Sequence, residues 1–316
     1  MGATLSRRAT KIAATYTALC ALVLSAIALG GCTSALPLAG TGSVPAGATS
    51  KTATAAAPAT PKAKPKKPKP APKKPKPSSA STGTAALGNG LLAWNFQRNK
   101  KHTVPEIPSE ARRLAKRYGA MYVGPDPKLV YLTFDEGYEN GNTPQILDTL
   151  KANNVHATFF VTGQFCREAP KLCRRMLAEG HVVGDHSDSH PSMPSVTGDP
   201  KRFKVQLAKT DASFTKATGK PITRLFRPPM GEYSTRSLAM TDQLGYTTVF
   251  WSFAHGDYDE KNQPPVATTV SRVLTGSHPG AIFLLHGMST SDTGALQEII
   301  TGLRAQGYGF GTLEPR

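Results

Sequence analysis

From residue 129 onward the chain alternates two hydrophobic patterns. Short runs rich in β-branched and aromatic residues are LVYLTF (129–134), ATFFVT (157–162), HVVGD (181–185), LFRP (225–228), TTVFWSF (247–253), AIFLLH (281–286) and YGFGTL (308–313). Between most of them, apolar residues recur at helical spacing. Ile146, Leu147 and Leu150 follow Pro144, and Leu172, Met176 and Leu177 follow Pro170. Leu238 and Leu244 precede Gly245, and Ile299, Ile300 and Leu303 precede Gly307. Proline suits a first helical turn and glycine the residue beyond a last one. Repeated strand–helix units predict an α/β fold with a parallel sheet covered by helices. About seven strands favour a barrel over an open sheet.

The polar residues that interrupt this pattern collect at one place in it. Asp135-Glu136, His186, Arg227, Asp257 and His286 each fall at or just beyond the C-terminal end of a run. In a barrel those ends converge on one face, where active sites form. The adjacent carboxylates of Asp135 and Glu136 are costly to bury without partners. "HSDSH" spaces His186 and His190 at i, i+4, which on a helical turn places two imidazoles on one face. That pair suits a divalent metal, with imidazole favouring zinc and its neighbours. A carboxylate from 135–136 completes the set, leaving the other free as a base. Arg227, in "RPPMG", supplies a permanent cation that holds a carboxylate ionised. His286 ends an apolar strand, and Asp257 is placed to raise its pKa and make it a general acid.

Composition divides the chain before any of this chemistry begins. Residues 1–90 contain no Asp or Glu and hold 12 of the 38 Lys and Arg. The rest carries 26 basic against 21 acidic side chains, a net of +5 rather than +17. Arg7, Arg8 and Lys11 precede an apolar stretch from about Ile12 to Leu29, the layout of a secretory signal over residues 1–32. Its end, Leu29-Gly30-Gly31-Cys32, resembles the bacterial lipoprotein box, which implies lipidation of Cys32 and a membrane anchor facing the cell wall. Residues 33–90 form an Ala/Pro/Lys-rich linker, expected to be disordered. Its stretch 61–77 has 8 Lys and 7 Pro and nothing larger than Ala to build a core. Such a tether suits anionic wall polymers, and export argues against nucleic acid as its partner. Residues 91–316 are long enough for a single domain with a sizeable core. Within it Cys166 and Cys173 make an even pair, a disulfide candidate in an exported protein.

The set TFDEG, HSDSH, RPPMG, Asp257-Tyr258 and LLH, in order, resembles the five motifs of the polysaccharide deacetylases, the NodB-homology carbohydrate esterases of family 4. "DEGYENGNTPQILDTL", "TTVFWSFAHGDYD", "HPGAIFLLH" and the upstream "WNFQRNKKHTVPEI" (94–107) resemble the delta-lactam-biosynthetic de-N-acetylases in particular. The resemblance implies a distorted (β/α) barrel of about seven parallel strands and a metal-dependent hydrolase that removes N-acetyl groups from peptidoglycan amino sugars, N-acetylmuramic acid foremost and N-acetylglucosamine as the alternative. It implies Asp135 as base, and Glu136, His186 and His190 as ligands of a divalent ion, Zn²⁺ first with Co²⁺, Mn²⁺ or Ni²⁺ as alternatives. It further implies Arg227 orienting Asp135, His286 as acid tuned by Asp257, and the Met230 backbone N–H as oxyanion donor. Tyr138 stands where the family has Pro, a change shared with the delta-lactam group and set beside the substrate. Glu136 replaces the usual Asp. A wall-binding module that has lost turnover through that replacement is the reading from outside the enzymes.

Overall fold

A computed structural model describes residues 83–316. The expected signal segment, Cys32 and the expected linker through residue 82 lie outside the described residues. The elements run β1 (Leu92–Ala93), α1 (Ser109–Arg117), β2 (Leu129–Glu136), α2 (Thr143–Ala152), β3 (Thr158–Val161), α3 (Gly163–Glu168), α4 (Pro170–Ala178) and β4 (Val182–Asp185). They continue with α5 (Met193–Val196), α6 (Pro200–Thr218), β5 (Leu225–Phe226), β6 (Glu232–Tyr233), α7 (Thr235–Gln243) and β7 (Thr247–Thr248). Helix α8 (Val266–Gly276), β8 (Ile282–His286), α9 (Thr290–Ala305) and β9 (Gly309–Phe310) complete the chain.

Each of the seven apolar runs contains a strand, and the strands pair in parallel in the order β7-β5-β4-β3-β2-β8, with β9 beside the start of β2. Beyond β7 the chain reaches Phe253, which bridges to Phe283 of β8 and brings the two edges together. The sheet is thereby curled into an incomplete, distorted barrel.

Strand alternation sorts the core into two layers. On β2, Val130, Leu132 and Phe134 face the helices and pack with residues of α2, α4 and α9. Tyr131 faces inward, where it meets Phe160, Ile282, Leu284, Trp94 and Trp251. Trp94 closes one end of this inner core, stacking on Phe250 at 4.2 Å while its Nε1 donates to the Trp251 carbonyl at 2.8 Å.

Two sequence expectations are corrected here. The folded chain starts before residue 91: Arg236 donates to the carbonyls of Ala85 and Leu87, and Asn89 bonds both Ser234 and the Pro194 carbonyl. The last residues assigned to the linker therefore belong to the domain. Cys166 and Cys173 are buried free thiols rather than a disulfide. They sit on the consecutive helices α3 and α4 and contribute to the helix-facing core as small apolar groups. Hydrogen bonding to Cys173, together with burial, pushes the Cys166 thiol far up, so it stays protonated.

Candidate active site

The sequence-predicted polar residues meet at the C-terminal ends of β2, β4, β5 and β8. Asp135 follows the inward parity of Tyr131 and Thr133, and is the register partner of His286 on β8. Arg227, fully buried just after β5, donates from Nη1 to Asp135 Oδ1 at 2.8 Å. Its guanidinium lies 4.2 Å over the Phe160 ring, so the side chain is held by stacking as well as by charge. Burial alone would push the Asp135 pKa up. The Arg227 charge foremost, with the neighbouring imidazoles, outweighs it and holds the carboxyl below its ordinary range.

His186 begins the loop after β4. Its Nδ1 sits 2.8 Å from the Arg227 carbonyl, which can only accept, so the proton is on Nδ1 and the Nε2 lone pair is free. That Nε2 points at Asp135 Oδ2, 3.5 Å away. Burial pushes the His186 pKa down to about 4 and that of His190 down as well, so both rings are neutral near pH 7. The two rings are 4.9 Å apart and edge to face. "HSDSH" forms no helical turn, however: Ser187 and His190 have φ of 68° and 57°. Asp185 Oδ1 accepts from the Ser187 N–H at 2.7 Å, and Ser187 Oγ from the His190 N–H at 3.0 Å. This short polar loop brings the rings together where a helix was expected.

Glu136 is not brought to the two histidines. One residue on from Asp135, it follows the parity of Phe134 and turns into the helix-facing layer. There Thr143 donates to its Oε2 at 3.2 Å, and it packs so tightly under Gly287 that a Cβ at 287 would overlap the carboxyl. Burial, with the charge of Glu139 next, pushes its pKa well above the carboxylate range. Its carboxyl thus lies on the helix-facing side of the strand, and the carboxylate oxygen beside His186 Nε2 is Asp135 Oδ2.

His286 closes the site on the other side. Its Nδ1 lies 2.8 Å from Asp257 Oδ2, leaving Nε2 to the cleft. Burial disfavours the imidazolium, but Asp257 overcomes this and raises the His286 pKa, with a smaller contribution from Asp135. Met230 occupies a left-handed turn, φ 59°, beside Gly231, whose missing side chain makes room for Trp251. Tyr138 is partly exposed and its hydroxyl bonds Glu260, burial and that contact pushing its pKa up to about 12. Asn140 bonds Glu260 at 3.0 Å and the Met288 carbonyl at 2.9 Å, so the 138–141 loop is tied to the segment after Asp257.

The model of the family described as polysaccharide deacetylase matches residues 122–249. The Bacillus subtilis peptidoglycan-N-acetylmuramic acid deacetylase PdaA is 40% identical over 230 residues, 72% of this chain and 87% of that protein. Its solved structure, described as a family 4 carbohydrate esterase, superposes with a TM-score of 0.69 at 40% identity, covering 72% of this chain and 96% of that one. The chain belongs to the polysaccharide deacetylase family. Another member, the Bacillus cereus peptidoglycan-N-acetylglucosamine deacetylase, is 34% identical over 203 residues, 63% of this chain and 72% of that protein.

Two buried residues of this deacetylase have no site role in the sequence reading: His255 reads there as structural or exposed, and Asp292 is not singled out. Among the described residues, His255, Asp257 and Asp292 are the one set of three His, Cys, Asp or Glu side chains whose donor atoms all lie within 4.8 Å of one another. His255 stands two residues before Asp257 in "HGDYD" and Asp292 six after His286. Neither spacing is a pattern by itself; only the β8–α9 turn brings them together.

Proposed function

We propose that the protein hydrolyses the N-acetyl group of peptidoglycan amino sugars, N-acetylmuramic acid foremost. The observation that carries this is the pairing of Asp135 with His286 in register across β2 and β8: one carboxylate held ionised by Arg227, one imidazole held protonated by Asp257. Binding alone needs no such base and acid facing one cleft.

The free Nε2 of His186 and the neutral His190 would supply two imidazole donors to a divalent cation of the zinc type, leaving Asp135 Oδ2 free as a base. Such an ion, when bound, would supply Lewis acidity toward the acetamide carbonyl and water. Asp135 accepts the proton of the attacking water as the water oxygen bonds to the acetamide carbonyl carbon. Arg227 keeps Asp135 Oδ1 occupied, so Oδ2 is the atom that takes the proton. The Met230 N–H, presented by its left-handed turn, donates to the developing oxyanion. The C–N bond breaks as His286 Nε2–H protonates the leaving nitrogen, giving acetate and a free amino sugar.

Identity to a muramic acid deacetylase extends over more of this chain than identity to the glucosamine deacetylase. Tyr138, where the family has Pro, is a change shared with the delta-lactam group and supports the muramic acid reading. Export, lipidation at Cys32 and attraction of the Lys/Pro tether to anionic wall polymers complete the proposal. Mass spectrometry of peptide-free glycan strands and of chitin oligomers after incubation tests it. Loss of acetyl from muramic acid, with chitin oligomers little changed, is expected. Equal or faster acetate release from chitin oligomers would overturn the muramic assignment in favour of glucosamine.

A further inference from the structure

Behind His286, away from the cleft, lies a buried group of three side chains whose polar atoms have no ordinary partner. Asp257 uses Oδ2 on His286, and Asp292 uses Oδ2 on the His286 backbone N–H at 3.3 Å. Their remaining oxygens, both Oδ1, have no donor among the described residues, and His255 Nε2 is likewise without a hydrogen-bond partner, although it lies 2.9 Å from Asp292 Oδ1. Asp257 and Asp292 are each 1% exposed and His255 3%.

Two carboxylates in so dry a space cannot both be ionised. A single proton between them turns two stranded acceptors into a donor and an acceptor. Its location follows from what faces each carboxyl. Asp257 faces the rings of His286 and His255 and the Asp292 carboxyl. Asp292 faces the Asp257 carboxyl, His255, one backbone N–H and the Ser289 hydroxyl, which already caps the Asp292 N–H at 3.0 Å. The nearest cation to His255 is Arg272, which bonds its carbonyl. The imidazolium of His286 thus favours charge on Asp257, and the proton belongs on Asp292. We propose that Asp292 is a positioning residue for His286: as a carboxylic acid braced by His255 it donates to Asp257 Oδ1, and so holds Asp257 Oδ2 on His286 Nδ1. Burial and the neighbouring charges agree. Burial pushes Asp292 well above the carboxylate range with the Asp257 charge adding to it. Burial also works against Asp257, but His286 holds that carboxyl low.

The result is a chain of four, His255–Asp292–Asp257–His286, that fixes the tautomer and direction of the ring delivering the proton. This rests on the reading of His286 as the general acid. Its test compares the full-length protein with Asp292→Asn, Asp292→Leu and His286→Ala on two substrates: the N-acetylated glycan, and a nitrophenyl acetate ester whose leaving group needs no protonation. Asparagine keeps an N–H for Asp257 Oδ1, and its turnover should stay within about threefold of the parent on both substrates. Leucine removes the donor and should lose about 10- to 100-fold on the glycan, the usual range for a group that orients an active-site histidine. On the ester it should stay near the parent, which also reports that the variant is folded. Full activity of Asp292→Leu on the glycan, or equal damage from asparagine and leucine there, would overturn the proposal. If His286→Ala itself loses equally on both substrates, the general-acid reading fails first and takes this one with it. The same three donors would also suit a divalent cation. Metal analysis that finds an ion lost in both Asp292 variants, yet kept in His190→Ala, would put a cation in place of the proton.

Discussion

The roles of Asp135 and Glu136 separate over a single residue of strand. Both were legible in the sequence as a carboxylate pair at a strand end, and so was the alternation that parts them. Val130, Leu132, Phe134 and Glu136 share one parity, and Tyr131, Thr133 and Asp135 the other. The family resemblance makes Glu136 a ligand, whereas the pleat turns it away. Asp135→Asn should lower turnover by about 10²-fold or more, the scale of a lost general base, with the protein still folded; turnover within threefold of the parent would remove Asp135 from the mechanism. Glu136→Gln should leave zinc affinity unchanged in calorimetric titration and change stability with pH. A carboxyl whose folded pKa lies above its unfolded value stabilises the protein below about pH 4, and that contribution is lost as the pH rises through the folded pKa. Glutamine, which does not ionise, should therefore match glutamate near pH 4 and melt a few degrees higher near pH 8. A lower melting temperature at pH 8 would mean that the buried carboxyl is charged and compensated. His286 has its pKa raised mainly by Asp257, so activity should persist on the alkaline side until the imidazolium deprotonates. Asp257→Asn removes that support and should move the alkaline limb of the pH–rate profile to lower pH, and an unmoved limb would detach His286 from it.

At the scale of elements, the strands were the most legible feature, because seven apolar runs bounded by Gly, Pro and polar residues leave little freedom of assignment. Pro144 and Pro170 mark the first turns of α2 and α4 as their ring geometry requires. Local loop conformation was less legible. The i, i+4 spacing of His186 and His190 reads as a helical turn, but the Asp185 carboxyl and Ser187 hydroxyl cap backbone N–H groups inside it and turn it into a loop. Side chains that bond nearby backbone compete with helix in this way. The cysteines mislead for a related reason: an even pair in an exported chain suggests a bond, while their burial between α3, α4 and the sheet gives them a packing role of their own. Cys166→Ala with Cys173→Ala should therefore destabilise through lost core volume rather than through an opened cross-link. Melting curves of the parent with and without reductant should coincide. A drop in melting temperature on reduction would restore the disulfide.

At the scale of the molecule, the boundary between tether and domain was the least legible feature, because "TGTAALGNG" has the composition of the linker before it. Its attachment comes from partners more than a hundred residues away. Arg236 Nε and Nη2 donate to the Leu87 carbonyl at 3.1 and 3.0 Å, and Nη2 also reaches the Ala85 carbonyl at 2.8 Å. The Arg236 N–H donates to the Gly88 carbonyl at 3.0 Å. Asn89 accepts from Ser234 Oγ at 2.8 Å and donates to the Pro194 carbonyl at 3.0 Å, next to the capping serine of α7. A protein cut to begin at residue 91 loses all of these, while one beginning at residue 83 keeps them. With a net worth of about 1 kcal/mol for a typical hydrogen bond, discounted because several are partly exposed, the shorter form should be less stable by about 2–4 kcal/mol. For a domain of this size that is a melting temperature lower by roughly 5–15 °C. The barrel strands and the His186, Arg227 and His286 positions are untouched by the cut, so activity well below the transition should be the same in both forms. Calorimetry of the two proteins decides the matter: coincident transitions would mean that water replaces residues 83–90 without loss, and that the domain does begin at residue 91.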